Sequence, residues 1–157
     1  LLEEKSTVGS DEIVKLESNI DDCSPEVLGY VMDRLFEAGA LDVCYSPIFM
    51  KKNRPATMLT VLCKEDKRLS LERIIFTETT TIGIRRMTMQ RSLLARTFEN
   101  VQTELGEVTM KVCSYVDQNG TQTFVYPEFE SVKKLAQTHG LPLKAVFDLA
   151  VQAKHHD

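Results

Sequence analysis

From Ile13 to Ile20 the side chains alternate, with Ile13, Lys15 and Glu17 on one side and Val14, Leu16 and Ser18 on the other. That period of two predicts a strand with one buried face. Ser24 then reads as an N-cap, with Pro25 at the first helical position and Glu26 favourable to the helix dipole. Leu28, Val31, Met32, Leu35 and Phe36 repeat at helical spacing, so a helix is predicted to about Ala38, closed by Gly39. Leu41–Met50 and Ala56–Cys63 predict two strands joined by a basic loop over 51–55. Pro55, which cannot donate to a ladder, marks the start of the second. Asp66 is expected to cap a second helix running to about Thr77, and Thr79–Met87 is β-branched enough for a fourth strand. The order is β-α-β-β-α-β, a ferredoxin-like split unit over residues 12–90, with residues 1–11 a flexible polar lead-in.

The remainder, 91–157, has a different pattern. Ala95–Glu104, Glu107–Tyr115 and Thr121–Val125 predict a three-stranded meander, with Asn119-Gly120 a turn signal between the last two. Pro127-Glu128 opens a helix to about Thr138, stopped by His139-Gly140. Pro142 starts another, with Val146, Phe147, Leu149 and Ala150 available for burial. The predicted class is α+β. No linker of low complexity separates the halves, so the meander and helical pair are expected to pack on the first unit.

The split topology decides where the polar segments go. Strands one and two run together, and strands three and four run against them. Asn19–Asp22, Met50–Arg54 and Glu78–Thr81 therefore meet at one end of the sheet. Asp21 and Asp22 precede a helix N-terminus, where carboxylates suit Mg²⁺ or Mn²⁺ but equally suit helix capping. Lys51, Lys52 and Arg54 are natural phosphate partners, Lys as a point charge and Arg as a bidentate fork, although charged residues are ordinary in a solvated hairpin. Thr79, Thr80 and Thr81 offer hydroxyls, Gly83 permits close approach, and Arg85 adds charge. Alternation puts Arg85 and Arg86 on opposite faces. Glu17 and Glu78 flank the same end, placed to orient cations or a base edge, or simply to form surface ion pairs. Each signal is weak singly; their convergence points to a metal-bound polyphosphate.

Composition narrows the class. With 43% hydrophobic and 27% charged residues the 157-residue chain is globular, and its net charge of −4 argues against a broad nucleic-acid footprint. No apolar run reaches bilayer length and no signal peptide is visible, so no membrane partner is expected. Cys23, Cys44, Cys63 and Cys113 lie far apart without metal-ligand spacing, and read as core or free thiols of a reducing compartment, the cytoplasm. The chain opens on Leu rather than Met, and is read as processed or as part of something longer.

NIDDCSPE (19–26), GALDV (39–43), PIFMKKNRP (47–55) and ETTTIGIR (78–85), followed by Arg91, Leu94, the Leu105-Gly106 turn and YPEFE (126–130), resemble the carboxy-terminal part of the LarC family of nickel-insertion proteins. The resemblance runs from about residue 12 onward, with Ser18 where the family pattern has Thr and Cys23 where it has Met. It implies insertion of nickel, as substrate, into pyridinium-3,5-bisthiocarboxylic acid mononucleotide for the lactate racemase cofactor. It further implies dependence on CTP with a divalent cation, the nucleotide being split to CMP and pyrophosphate.

On that reading Lys51, Lys52, Arg54, Thr79, Thr80, Thr81 and Arg85 hold the triphosphate, and Asp21 or Asp22 ligates Mg²⁺ or Mn²⁺. The expected partners are CTP, the mononucleotide, an amino-terminal domain of the same protein and further copies of the chain. Cys23, His139 and the His155-His156 pair are the residues whose chemistry suits nickel, each with a plain structural alternative. Two other functions fit the same pattern: a nucleotide-binding module without turnover, and an assembly domain.

Overall fold

The computed structural model describes residues 9–155, which fall into two compact units, Ser10–Arg91 and a second starting at Ser92. The first contains β1 (Gly9–Ile20), α1 (Pro25–Glu37), β2 (Asp42–Met50), β3 (Arg54–Cys63), α2 (Glu65–Glu78) and β4 (Arg85–Leu93). Its strands are ordered β2-β3-β1-β4. β3 is antiparallel to both neighbours, with Ile20 opposite Thr57 and Met50 opposite Arg54. Arg85 reaches Glu17, Gln90 reaches Glu12 and Arg91 reaches Asp11, so β4 runs against β1. This is the ferredoxin-like arrangement the alternation predicts.

Period two sets the faces. Val14, Leu16, Ser18 and Ile20 are all buried, and with Leu59, Val61 and Cys63 of β3 they meet Leu28, Val31 and Leu35 of α1 and Leu71 and Ile75 of α2. Each large aliphatic side chain removed from water there contributes roughly 1.5–3 kcal/mol. Ser24 caps α1 as expected, accepting the Val27 N–H at 3.3 Å.

Several boundaries differ from the sequence pattern, among them the start of β3, at Arg54 inside the predicted loop. β1 starts at Gly9, so Asp11 belongs to the strand. α2 starts at Glu65 behind Lys64, which makes no side-chain cap, and Asp66 lies in the first turn, where its charge complements the helix dipole instead of capping. The fourth strand starts at Arg85, not Thr79. The threonines bond locally to backbone and so compete with a ladder. The Thr81 N–H donates to Thr79 Oγ1 at 3.2 Å, and Thr81 Oγ1 donates to the Gly83 carbonyl at 3.0 Å.

The second unit contains β5 (Ala95–Thr103), β6 (Gly106–Asp117), β7 (Gly120–Pro127), α3 (Phe129–His139) and α4 (Leu143–His155). The strands form an antiparallel meander in the order β5-β6-β7. Both helices contribute to the core on one face, where Val101, Val108 and Met110 meet Val132, Ala136, Val146 and Ala150. Pro127 ends β7 and α3 begins at Phe129, while Gly140 at φ 64 closes that helix. Among the described residues no helix is long and apolar enough to cross a membrane.

Candidate nucleotide and metal site

The sheet of the first unit brings the end of β1, the β2–β3 hairpin and the entry to β4 to one end. Arg54 Nη2 lies 2.8 Å from Asp21 Oδ2, linking the hairpin to the residue that follows β1. Thr80 Oγ1 donates to Asp22 Oδ1 and lies 3.5 Å from Cys23 Sγ, so the loop after α2 closes on the same turn. Arg85 Nη2 donates to Asn19 Oδ1 at 2.9 Å, and its Nε approaches Glu17 Oε2 at 3.5 Å. Lys15, 2.5 Å from Glu17, and then Arg85 lower the Glu17 pKa against the opposing effect of burial.

Arg85 thus lies on the open face of the sheet, while Arg86 reaches Glu72 of α2 at 3.7 Å on the helical side, as alternation requires. Glu78 sits 3.6 Å from Arg34, in an ion pair away from the phosphate-type cations.

Lys51 and Lys52 occupy the hairpin turn, exposed and without an ion pair among the described residues. Lys52 has φ 61 and ψ 24, and Asn53 has φ 56. Asn tolerates the left-handed region through its short polar side chain; Lys has no such compensation, so the turn holds local strain of about 1–2 kcal/mol. Neighbouring charge and strain make this turn the most unusual backbone in the unit.

The loop before β4 is held by buried Ser18, whose Oγ donates to the Gly83 carbonyl at 3.1 Å. Thr79 Oγ1 donates to the Ile75 carbonyl at 2.7 Å, ending α2. Of the three threonines, Thr80 is therefore the one whose hydroxyl faces the Asp22 side. A Cβ added at Gly83 would meet nothing within 4 Å, so the fold itself does not require glycine there. Asn19 and Ser18 lie in the polar segment that the sequence places at this end but have no role assigned by it; the β1 alternation that puts Asn19 on the face of Glu17 is the signal that marks it.

Among the described residues no three His, Cys, Asp or Glu side chains gather closely enough to hold a metal ion. Asp21 and Asp22 supply one or two carboxylates, which suits Mg²⁺ or Mn²⁺ carried on a polyphosphate whose oxygens complete the shell. The thiols are unlike one another: Cys63 is buried, which raises its pKa, Cys44 is exposed, and Cys23 and Cys113 are half-buried. His139 contacts the Leu105 carbonyl at 2.9 Å, a structural position, and the His155-His156 pair lies outside the residues whose side chains are described.

A family model described as nickel insertion protein matches residues 1–147. The chain belongs to the nickel insertion protein family. The pyridinium-3,5-bisthiocarboxylic acid mononucleotide nickel insertion protein of Acetivibrio thermocellus is 51% identical over 143 residues, covering 91% of this chain but 34% of that protein. Its counterpart in Thermotoga sp. strain RQ2 is 44% identical over 134 residues, covering 85% of this chain and 33% of that protein. This chain therefore spans about a third of the length of the curated relatives it matches.

Among solved structures, the apo carboxy-terminal domain of LarC, a cyclometallase involved in synthesis of the NPN cofactor of lactate racemase, superposes with a TM-score of 0.87 at 41% identity. The match covers 94% of this chain and 99% of that one. A protein from Methanopyrus kandleri, at 24% identity and a TM-score of 0.67, shares the fold.

Proposed function

We propose that this chain is the CTP- and divalent-cation-binding domain of a nickel insertase that loads nickel, its metal substrate, into pyridinium-3,5-bisthiocarboxylic acid mononucleotide. The observation that carries the reading is the convergence of Arg54–Asp21, Thr80–Asp22 and Arg85–Asn19 at one end of one sheet, beside the strained Lys51-Lys52 turn. The relatives' names supply the nickel chemistry, and the site supplies groups that suit a metal-bound triphosphate.

Lys51, Lys52 and Arg54 hold the β- and γ-phosphates, and Thr80 and Thr81 with Arg85 hold the remainder of the nucleotide's polar groups. Asp21 or Asp22 binds Mg²⁺ or Mn²⁺, which supplies charge neutralisation on the phosphate oxygens. Cleavage is hydrolytic: a water oxygen bonds to the α-phosphorus as the bond to the oxygen bridging to the β-phosphate breaks, leaving CMP and pyrophosphate, with the water's proton passing to solvent. Charge accumulates on the departing pyrophosphate, so cations fixed on its side lower the barrier. Arg54 is paired with Asp21; were Asp21 the carboxylate that holds the cation, Arg54 would be free to bind phosphate.

The amino-terminal domain of the same protein, and further copies of this chain, are the partners expected in the complete insertase. The free thiols suit the reducing cytoplasm. Because the chain spans about a third of its curated relatives, a second reading is a nucleotide-binding module that positions CTP without turning it over.

Calorimetric titration of CTP with Mn²⁺ or Mg²⁺, beside ATP and a metal-free control, tests the proposal. Metal-dependent binding that prefers CTP and is lost in Lys52→Ala is expected. Absence of nucleotide binding removes the site assignments, and binding without CMP formation selects the second reading.

A further inference from the structure

Ser18 is the one buried polar side chain among the described residues, at 1% exposure, in a row otherwise filled by Val14, Leu16 and Ile20. A hydroxyl at a core position costs free energy unless it is hydrogen-bonded. The bond it makes is to a residue 65 positions away, the Gly83 carbonyl at 3.1 Å. That carbonyl already accepts from Thr81 Oγ1 at 3.0 Å, so the fold does not need Ser18 to keep it paired. An apolar residue in this row would serve the core better.

We infer that Ser18 is a positioning residue of the nucleotide site, holding the loop 79–84 on the end of β1 while the groups around it exchange their partners for the ligand. This rests on the nucleotide reading above. Among the described residues, every other side-chain hydrogen bond from this loop or Arg85 to the end of β1 uses a group which that reading gives to the ligand. Thr80 bonds to Asp22 and Cys23, and Arg85 to Asn19 and Glu17. Were Asp22 the carboxylate that takes the cation, the Thr80 hydroxyl would lose its acceptor. When Arg85 turns to phosphate, Asn19 and Glu17 lose their donor. Ser18 is too deeply buried to touch a ligand, and its bond to Gly83 persists through both changes.

The other side-chain hydrogen bonds of the loop are to α2 or to the loop itself. Thr79 Oγ1 donates to the Ile75 carbonyl, and Thr79 Oγ1 and Thr81 Oγ1 accept the Thr81 and Gly83 N–H groups. These bonds give the loop its shape, and the Ser18 bond fixes that shape relative to β1. Ile84 packs on the core of the unit, but apolar contact sets no direction for the carbonyl beside it. A loop held in place before the nucleotide arrives spares binding the cost of ordering it.

Titration of CTP with Mn²⁺, thermal melts and hydrogen exchange of the loop amides, on variants of the 157-residue chain, test the inference. Ser18→Val makes the row wholly apolar and leaves the Gly83 carbonyl to Thr81, so it is expected to melt at or above the parent's midpoint. Its loop amides should exchange faster, and its metal-dependent CTP affinity should fall by about five- to tenfold. Ser18→Ala, which cannot overfill the row, should lose affinity likewise. Ser18→Thr keeps the hydroxyl and should retain affinity within about twofold. A serine that serves only the core would show the reverse, a lower melt with binding intact. Parent-like affinity in both Ser18→Val and Ser18→Ala overturns the inference. So does an equal loss in Ser18→Thr, which would assign the effect to side-chain size, and so does a loss that merely tracks a lower melt. A parent that binds no nucleotide overturns the site reading and this inference with it, whereas a binding parent with unaffected variants overturns this inference alone.

Discussion

Arg54 Nη2 is 2.8 Å from Asp21 Oδ2, an ion pair that spans the mouth of the candidate site from the hairpin to the end of β1. The pair gives the proposed metal requirement a physical form. With no cation bound, Asp21 occupies the guanidinium and presents negative charge to an incoming triphosphate. Asp21→Asn removes that charge and frees Arg54, while an amide is a poor ligand for a hard cation. CTP is expected to bind the variant more tightly than the parent in the absence of metal. The enhancement given by Mg²⁺ or Mn²⁺ should fall by about tenfold or more, equivalent to ~1.4 kcal/mol. Calorimetry with and without metal checks both arms, and an enhancement equal to the parent's would leave Asp21 without a metal role.

How much of this end of the molecule is legible in sequence depends on which force fixes each residue. The β1 alternation and the Ser24-Pro25-Glu26 start of α1 are local signals, and both match the fold. The opposite orientation of Arg85 and Arg86 follows from the pleat alone. The start of β4 does not, because β-branching in Thr79–Thr81 and the tendency of threonine hydroxyls to bond local backbone point different ways. Here the hydroxyl bonds to Gly83 and Ile75 win. Nothing in a lysine predicts φ 61, and the left-handed Lys52 comes from closing a turn between β2 and β3 without glycine. The Arg85–Asn19 bond needs the β1–β4 pairing before it can be seen.

Lys52 allows function and stability to be separated. Its backbone sits where glycine is at ease and other L-residues are strained. Lys52→Gly should leave the thermal midpoint unchanged or higher, with a gain of at most ~1 kcal/mol after the greater freedom of glycine in the unfolded chain is counted. Nucleotide binding, by contrast, should weaken by about tenfold through loss of the ammonium. A thermal melt and a CTP titration on one sample make the comparison. A variant that is both less stable and fully able to bind would show that the lysine serves the turn and not the ligand.

Asp11 fixes the other end of the β1–β4 pair. Its carboxylate accepts from Arg91 Nε at 3.0 Å and Nη2 at 2.8 Å, and from Lys64 Nζ. Arg91 first, and Lys64 after it, hold its pKa far below the ordinary carboxylate value. The sign follows from linkage. The unfolded chain takes up this proton near pH 4 while the folded chain resists it, so the stabilisation is complete above about pH 4 and fades as pH falls toward the folded pKa. Asp11→Asn should therefore melt below the parent at neutral pH, and the gap should narrow as pH is lowered through 4 toward 2. A gap that stays constant over that range would assign Asp11's contribution to packing instead of charge.

Gly83 offers a test of whether the loop before β4 is shaped for the fold or for a ligand. Its carbonyl is already anchored by Ser18 and by Thr81, and its φ does not lie in the left-handed region that favours glycine. A methyl group there would project into open space. Gly83→Ala should consequently fold normally, with stability equal to the parent's or higher by roughly 0.4–1 kcal/mol because the unfolded chain loses freedom. If Thr80, Thr81 and Arg85 cradle phosphate, the open space is the approach path of the nucleotide, and the added methyl group stands in it. CTP affinity should then fall in Gly83→Ala while the melt does not. Equal affinity in a normally folded variant would move the triphosphate off this loop and leave the hairpin cations as the phosphate site.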